Sequence, residues 1–152
     1  MDLACTGFMV RKDMLEKEET SLLRLGKHES SEFLSEFQDF IKTVLNSDEQ
    51  GFGRKTYDSL MSLEVYAGTR KLLEGELIEI VNELGFEISE QVHMYWLEQQ
   101  IVITFSKDQV PQIIKGIDNL DGMDEFIFFD ESRTWLLFYD HYDNCKYLTI
   151  SE

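Results

Sequence analysis

Proline occurs once in this 152-residue sequence and cysteine twice, and its apolar runs last only a few residues. No stretch is therefore long enough to cross a bilayer as a helix. A single Pro111 and nine glycines argue against a linker-rich or low-complexity chain. Cys5 and Cys145 are too few for a disulfide framework, and a chain of this length can bury a core without staples, which fits a reducing compartment. The opening Met1-Asp2-Leu3-Ala4-Cys5 looks superficially like a lipoprotein cleavage box. A signal peptide, however, needs a basic head and an apolar stretch before the cleavage site, and only four residues precede Cys5. The expectation is an unexported, cytoplasmic protein with no membrane partner.

Positive charge is also scarce: 14 basic residues face 30 acidic ones, for a net charge of −16. Such a field repels phosphates, which argues against direct nucleic-acid binding, and it attracts basic proteins. Residues 76–106 carry six acids and no Lys or Arg, and residues 107–152 carry ten acids and four bases, so the excess is not confined to a tail. The sequence also lacks a Gly-rich phosphate loop, Cys-x-x-Cys, His-Glu-x-x-His and Gly-x-Ser-x-Gly. No cofactor and no catalytic residue is expected.

What is present reads as a globular core: 43% of the residues are hydrophobic and 12% aromatic, too many for a disordered chain. Phe33, Leu34, Phe37, Phe40, Ile41, Val44 and Leu45 recur at helical spacing and predict a helix over 30–45, capped by Ser31. Residues 56–66 are read as a helix after the Gly51/Gly53 loop. Leu73, Leu77, Ile80, Val81 and Leu84 predict a helix over 70–84, with Gly85 as the residue that ends it. Residues 91–97 and 101–106 form a hairpin. Asp108 caps a helix through Val110, Ile113, Ile114 and Ile117, and three strands follow at 125–130, 134–141 and 145–150. Short links between consecutive strands imply an antiparallel sheet. The expected fold is a single α+β domain over 1–152, with about five antiparallel strands and N-terminal and crossing helices packed on them. A boundary after residue 54 would set a helical N-terminal part on residues 55–152. Trp135, Leu137 and Tyr139 alternate with Leu136 and Phe138, so that strand should be central and covered on both faces, with the N-terminal helices as the second cover.

The sequence offers few chemical constellations. Asp140, His141, Asp143 and Cys145 form the one group of potential metal ligands, but Asp140 and His141 point to opposite faces of a strand, and a hairpin turn is the simpler reading. His28 and His93 stand alone. The neighbours Asp124/Glu125 and Asp130/Glu131 cannot converge on one substrate atom if they lie along strands. What remains is a surface. Asp118, Asp121, Asp124, Glu125, Asp130, Glu131, Asp140 and Asp143 fall at element ends and links, where they could form one acidic edge, with Tyr142 as an aromatic anchor for a basic partner.

The stretch 126–150, FIFFDESRTWLLFYDHYDNCKYLTI, resembles the ends of small acidic immunity proteins of bacterial polymorphic-toxin systems. The shared features are an acidic turn, a Trp-containing strand over 134–137, a tight link and a last strand. The resemblance covers about 25 of the 152 residues and carries over no residue role. It implies a cytoplasmic α+β protein that binds and neutralises a cognate toxin domain, often a basic nuclease. Two other classes compete. A phage-type DNA mimic would also be acidic, but it needs acids spaced like phosphates. A small-molecule enzyme or sensor needs a pocket with convergent polar groups.

Overall fold

The computed structural model describes residues 24–69, 76–118, 124–140, 142 and 144–150. The amphipathic helix read over 30–45 is α1, Ser31–Val44. Its cap is Ser30 rather than Ser31: the Ser30 hydroxyl accepts from the Phe33 amide at 3.2 Å, one residue earlier than the spacing suggested. Asn46, at φ 56°, ends the helix in the left-handed conformation that Asn tolerates. Helix α2 runs Arg54–Met61, and here the reading of one helix over 56–66 is corrected. The chain leaves the helix at Ser62 and enters a strand, Glu64–Thr69.

Helix α3, Glu76–Glu83, is the described part of the helix expected over 70–84; residues 70–75 lie outside the described residues. Gly85 ends it at φ 89°, with the Phe86 amide bonded back to the Val81 carbonyl, as expected for a glycine in this position. Helix α4, Val110–Asp118, follows a 3-10 turn over Lys107–Gln109. That turn is capped by Ser106, whose amide donates to the Gln109 side chain at 2.9 Å, and Asp108, expected as the helix cap, lies within the turn.

The strands are β1 (Lys27–His28), β2 (Glu64–Thr69), β3 (Gln91–Trp96), β4 (Ile101–Ser106), β5 (Phe126–Asp130), β6 (Trp135–Tyr139) and β7 (Asn144–Thr149). They form one sheet in the order β1-β4-β3-β5-β6-β7-β2, and every neighbouring pair is antiparallel. The fold is α+β as expected, but among the described residues the sheet has seven strands rather than about five. The five read from the sequence are β3 to β7. The two that were missed are its flanks, a two-residue strand too short to show alternation and a strand hidden behind a helix reading.

The sheet is covered on both faces. On one side α1 and α2 bring Phe37, Ile41 and Leu60 onto Tyr95, Leu97, Val102, Ile127, Phe129, Leu136 and Phe138. On the other, α3 and α4 bring Leu77, Ile80, Val81, Ile113, Ile114 and Ile117 onto Met94, Trp96, Phe126, Phe128, Trp135 and Leu137. Strand β6 is buried at every position, with Trp135, Leu137 and Tyr139 on the α3/α4 side and Leu136 and Phe138 on the α1/α2 side. The N-terminal helices do supply the second cover.

Phe37 is the centre of the α1 contact. It is fully buried and stacks on Phe129 with ring centroids 4.0 Å apart and planes 9° from parallel. Truncation leaves a ring-sized cavity that neither sheet nor helix can close. Phe37→Ala is expected to lower the unfolding free energy by about 3–5 kcal/mol in denaturant titrations. An unchanged midpoint would mean that the stripe is not core.

Candidate functional site

The pairing registers divide the acidic positions between two ends of the sheet. Phe126 pairs with Tyr139 and Trp96, so Asp124, Glu125 and Asp140 share one end with the β3–β4 turn. Asp130 pairs with Val92 at the opposite end, where Glu131 follows it. Four strand steps separate the ends, roughly 14 Å. The eight acids therefore do not make one edge. Asp118 ends α4, and Asp121 and Asp143 lie outside the described residues. Glu131 and Tyr142 are exposed, Tyr142 at 58%.

Two of the expected rim acids are interior braces. Asp130 is fully buried and accepts the Ser89 amide at 2.9 Å, the Trp135 indole N–H at 3.0 Å, and both the amide and hydroxyl of Ser132. Burial works against its charge, yet the hydrogen bonds from Ser132, Ser89 and Trp135 together hold its pKa below the ordinary carboxylate value. Asp140 is 1% exposed. It accepts the amides of Tyr142 (2.8 Å) and Asn144 (3.1 Å) and lies 3.5 Å from the Lys146 ammonium, which donates to the Met61 carbonyl. That ion pair ties the β6–β7 hairpin to the end of α2. Neither acid has a carboxylate free to meet a partner. As to metal, His141 and Asp143 lie outside the described residues, and among the described residues no three His, Cys, Asp or Glu side chains are grouped to hold an ion.

Beside this hairpin, at the same end of the sheet, an open cleft of about 400 Å³ lies between the start of α2 and the β3–β4 turn. Phe52, Gly53, Arg54 and Tyr57 form one wall, and Leu97, Glu98, Gln100 and Glu125 form the other. The turn is held open by Gln100, which takes φ 54°. Its side chain donates to the Leu97 carbonyl at 2.7 Å and accepts from Tyr95 (3.0 Å) and Gln38 (2.9 Å), a network that offsets the unfavourable backbone conformation. Gly53 is the N-cap of α2, and a Cβ there would lie 2.7 Å from the Glu49 carboxylate. That carboxylate in turn receives the Thr56 amide at 3.0 Å, which fixes the helix start.

The chemistry of the cleft is dominated by crowded carboxylates. Glu125 is 7% exposed. Glu98 receives the Glu125 amide at 2.9 Å. Asp124 stands next to both and accepts the Trp96 indole at 3.3 Å. Desolvation by the cleft walls pushes Glu98 up to about 7, and the charges of Asp124 and Glu125 add to the rise. Much of the Glu98 side chain still reaches water at the turn, so screening limits the energetic weight of that shift. Burial also raises Tyr57, to about 12, reinforced by the charge and hydrogen bond of Glu125 and the charge of Asp140. Arg54, at the lip, is paired with Asp58 at 3.3 Å.

Of the positions expected from the sequence, the structure brings Asp124, Glu125, Asp140 and Tyr142 to this end. It assigns Asp140 to the hairpin and sends Asp130 and Glu131 to the far end. Sequence reasoning missed Phe52, Tyr57, Glu98 and Gln100. Their convergence depends on which strands pair, and no local pattern announces it. Among the described residues, no helix is long and apolar enough to cross a membrane. Comparison with protein-family models, with curated proteins and with solved structures finds no match to this chain.

The raised Glu98 pKa has a signed consequence. The folded state holds the proton up to about pH 7, whereas a free glutamate loses it near 4.5, so ionising Glu98 works against folding as pH climbs through that window. Glu98→Gln is expected to leave the melting temperature unchanged at pH 4 and to raise it at pH 8. A variant that loses stability at pH 8 would show that the Glu98 charge is stabilising.

Proposed function

We propose that the chain is an acidic protein-binding module that captures and neutralises a basic partner, with the cleft end of the sheet as its docking face. The observation that carries this reading is the cleft: aromatic walls over partly desolvated carboxylates, open to solvent beside the exposed Tyr142. Aromatic anchors next to desolvated polar groups are the usual make-up of an interface hot spot. The surrounding charge supports it. Glu32, Glu36 and Asp39 on α1, Glu79 and Glu83 on α3, and Glu87 and Glu90 beyond it are all exposed. At a net charge of −16 they would steer a cationic protein from a distance. With the style of strands 126–150, the specific form of the proposal is a cytoplasmic immunity protein that binds a nuclease-like toxin domain, a class often basic because it grips phosphates.

One observation favours a second reading. A carboxyl titrating near 7, next to a buried carboxylate in a cleft, also suits general acid–base catalysis. The two readings differ in stoichiometry, since a neutraliser saturates at a fixed ratio to its partner whereas a catalyst does not.

Affinity capture from the native host, followed by mass spectrometry and expression of the captured protein, tests the primary reading. The partner should be basic, its toxicity should be suppressed by co-expression of this chain, and association should slow by about tenfold or more as salt is raised. Tyr142→Ala should speed dissociation by about tenfold, the signature of an anchor worth about 1.4 kcal/mol. A partner that binds equally well at high salt and to Tyr142→Ala would sink the reading.

A further inference from the structure

We infer that the cleft between α2 and the β3–β4 turn is a receptor for a single arginine side chain presented by the basic partner. The inference rests on the protein-binding reading above and names the group that would be recognised.

Three features of the cleft select a guanidinium. The first is shape and size: a shallow, widely open cleft of about 400 Å³ has room for a long side chain from a protein surface. The second is the pairing of wall chemistries. Phe52 and Tyr57 line the α2 side, Glu98 brings a largely exposed carboxylate to the side across from them, and the buried Glu125 is hydrogen-bonded to Tyr57. A planar guanidinium stacks on an aromatic face and forks onto a carboxylate at the same time, whereas an ammonium is a compact, strongly hydrated point charge. The third is the balance of charge. Among the described charged side chains at the cleft, Glu98, Glu125 and the adjacent Asp124 are acidic, and the basic Arg54 pairs with Asp58. The site thus carries negative charge that an incoming cation would relieve.

The direction of proton movement follows. Glu98 shares a proton with solvent near neutral pH because the walls and its acidic neighbours disfavour its charge. An arginine in the cleft favours the carboxylate, so binding releases that proton and tightens as pH rises from 6 to 8. Tyr57 stays protonated throughout this range, its pKa being about 12.

The probe is a short capped peptide, acetyl-Gly-Arg-Gly-amide, titrated into the full chain at low salt and followed by amide NMR shifts. The controls are the same peptide with neutral citrulline or with lysine in place of arginine. Saturable shifts at Tyr57, Leu97, Glu98 and Gln100 are expected with arginine, none with citrulline, and clearly weaker ones with lysine. Glu98→Gln should weaken arginine binding by about tenfold and abolish its pH dependence, whereas Glu36→Gln on α1 should do neither. The glutamine keeps an oxygen for the Glu125 amide, and an unchanged NMR dispersion would confirm that the variant folds. Equal responses to arginine and citrulline overturn the proposal, as do equal responses to arginine and lysine. Shifts confined to α1 and α3, indifferent to Glu98→Gln, also overturn it but leave the wider reading intact, because that reading stands or falls on the salt and Tyr142 dependence of the captured partner.

Discussion

Strands β3, β5 and β6 carry large apolar side chains at successive positions, and a pleated strand sends alternate residues to opposite faces. Tyr95, Ile127, Phe129, Leu136 and Phe138 therefore point one way while Met94, Trp96, Phe126, Phe128, Trp135 and Leu137 point the other. A sheet of this kind cannot leave either face in water. Each aromatic or branched residue left exposed would forfeit about 1.5–3 kcal/mol of burial. Two helical layers are the minimum that satisfies it, and the chain supplies them in order: α1 and α2 before most of the sheet, α3 and α4 as crossovers on the opposite side.

This two-sided demand decides where charge can go. With both sheet faces dry, acids are left with the outer surfaces of the helices and the ends of the strands. On the helices they are solvated, as Glu32, Glu36, Glu79 and Glu83 are. At the strand ends they meet turns that leave backbone amides without ladder partners, and two of them are drawn inside to serve those amides. Asp130 closes the β5–β6 turn through Ser132, and Asp140 closes the β6–β7 turn through Tyr142 and Asn144. Such acids count toward the net charge in the sequence but are spent on the hairpins they brace.

That distinction marks how far the sequence could be read. The apolar stripe of α1, the glycine after α3 and the two-faced pattern of β6 are local signals, and each led to the observed element. The burial of Asp130 and Asp140 was not legible, because an Asp in a turn looks the same whether its carboxylate faces water or the amides two residues on. Strand β2 was obscured by its direct connection to α2, where only Ser62 and Leu63 separate helical from extended backbone. The cleft was invisible for a different reason. Phe52 and Tyr57 come from one segment, Glu98 and Gln100 from a second and Glu125 from a third; the β3–β5 register aligns the last two, and packing on the sheet brings in the first.

The cleft also gives a physical reason for keeping carboxylates where the fold would be easier without them. Glu125 is buried next to Tyr57, and Glu98 resists ionisation because the cleft walls desolvate it, with the charges of Asp124 and Glu125 adding to the effect. Neutral side chains of similar size would pack there without mutual repulsion, so the arrangement is locally unfavourable in the isolated chain. Unfavourable electrostatics held in place by an otherwise consistent core are a common mark of a site shaped for something that is bound. The remedy for crowded negative charge is a cation, and the partly exposed Phe52 and Tyr57 are best covered by a flat apolar surface. A guanidinium supplies both in one group, so relief of the cleft's own repulsion becomes part of the affinity for a basic partner.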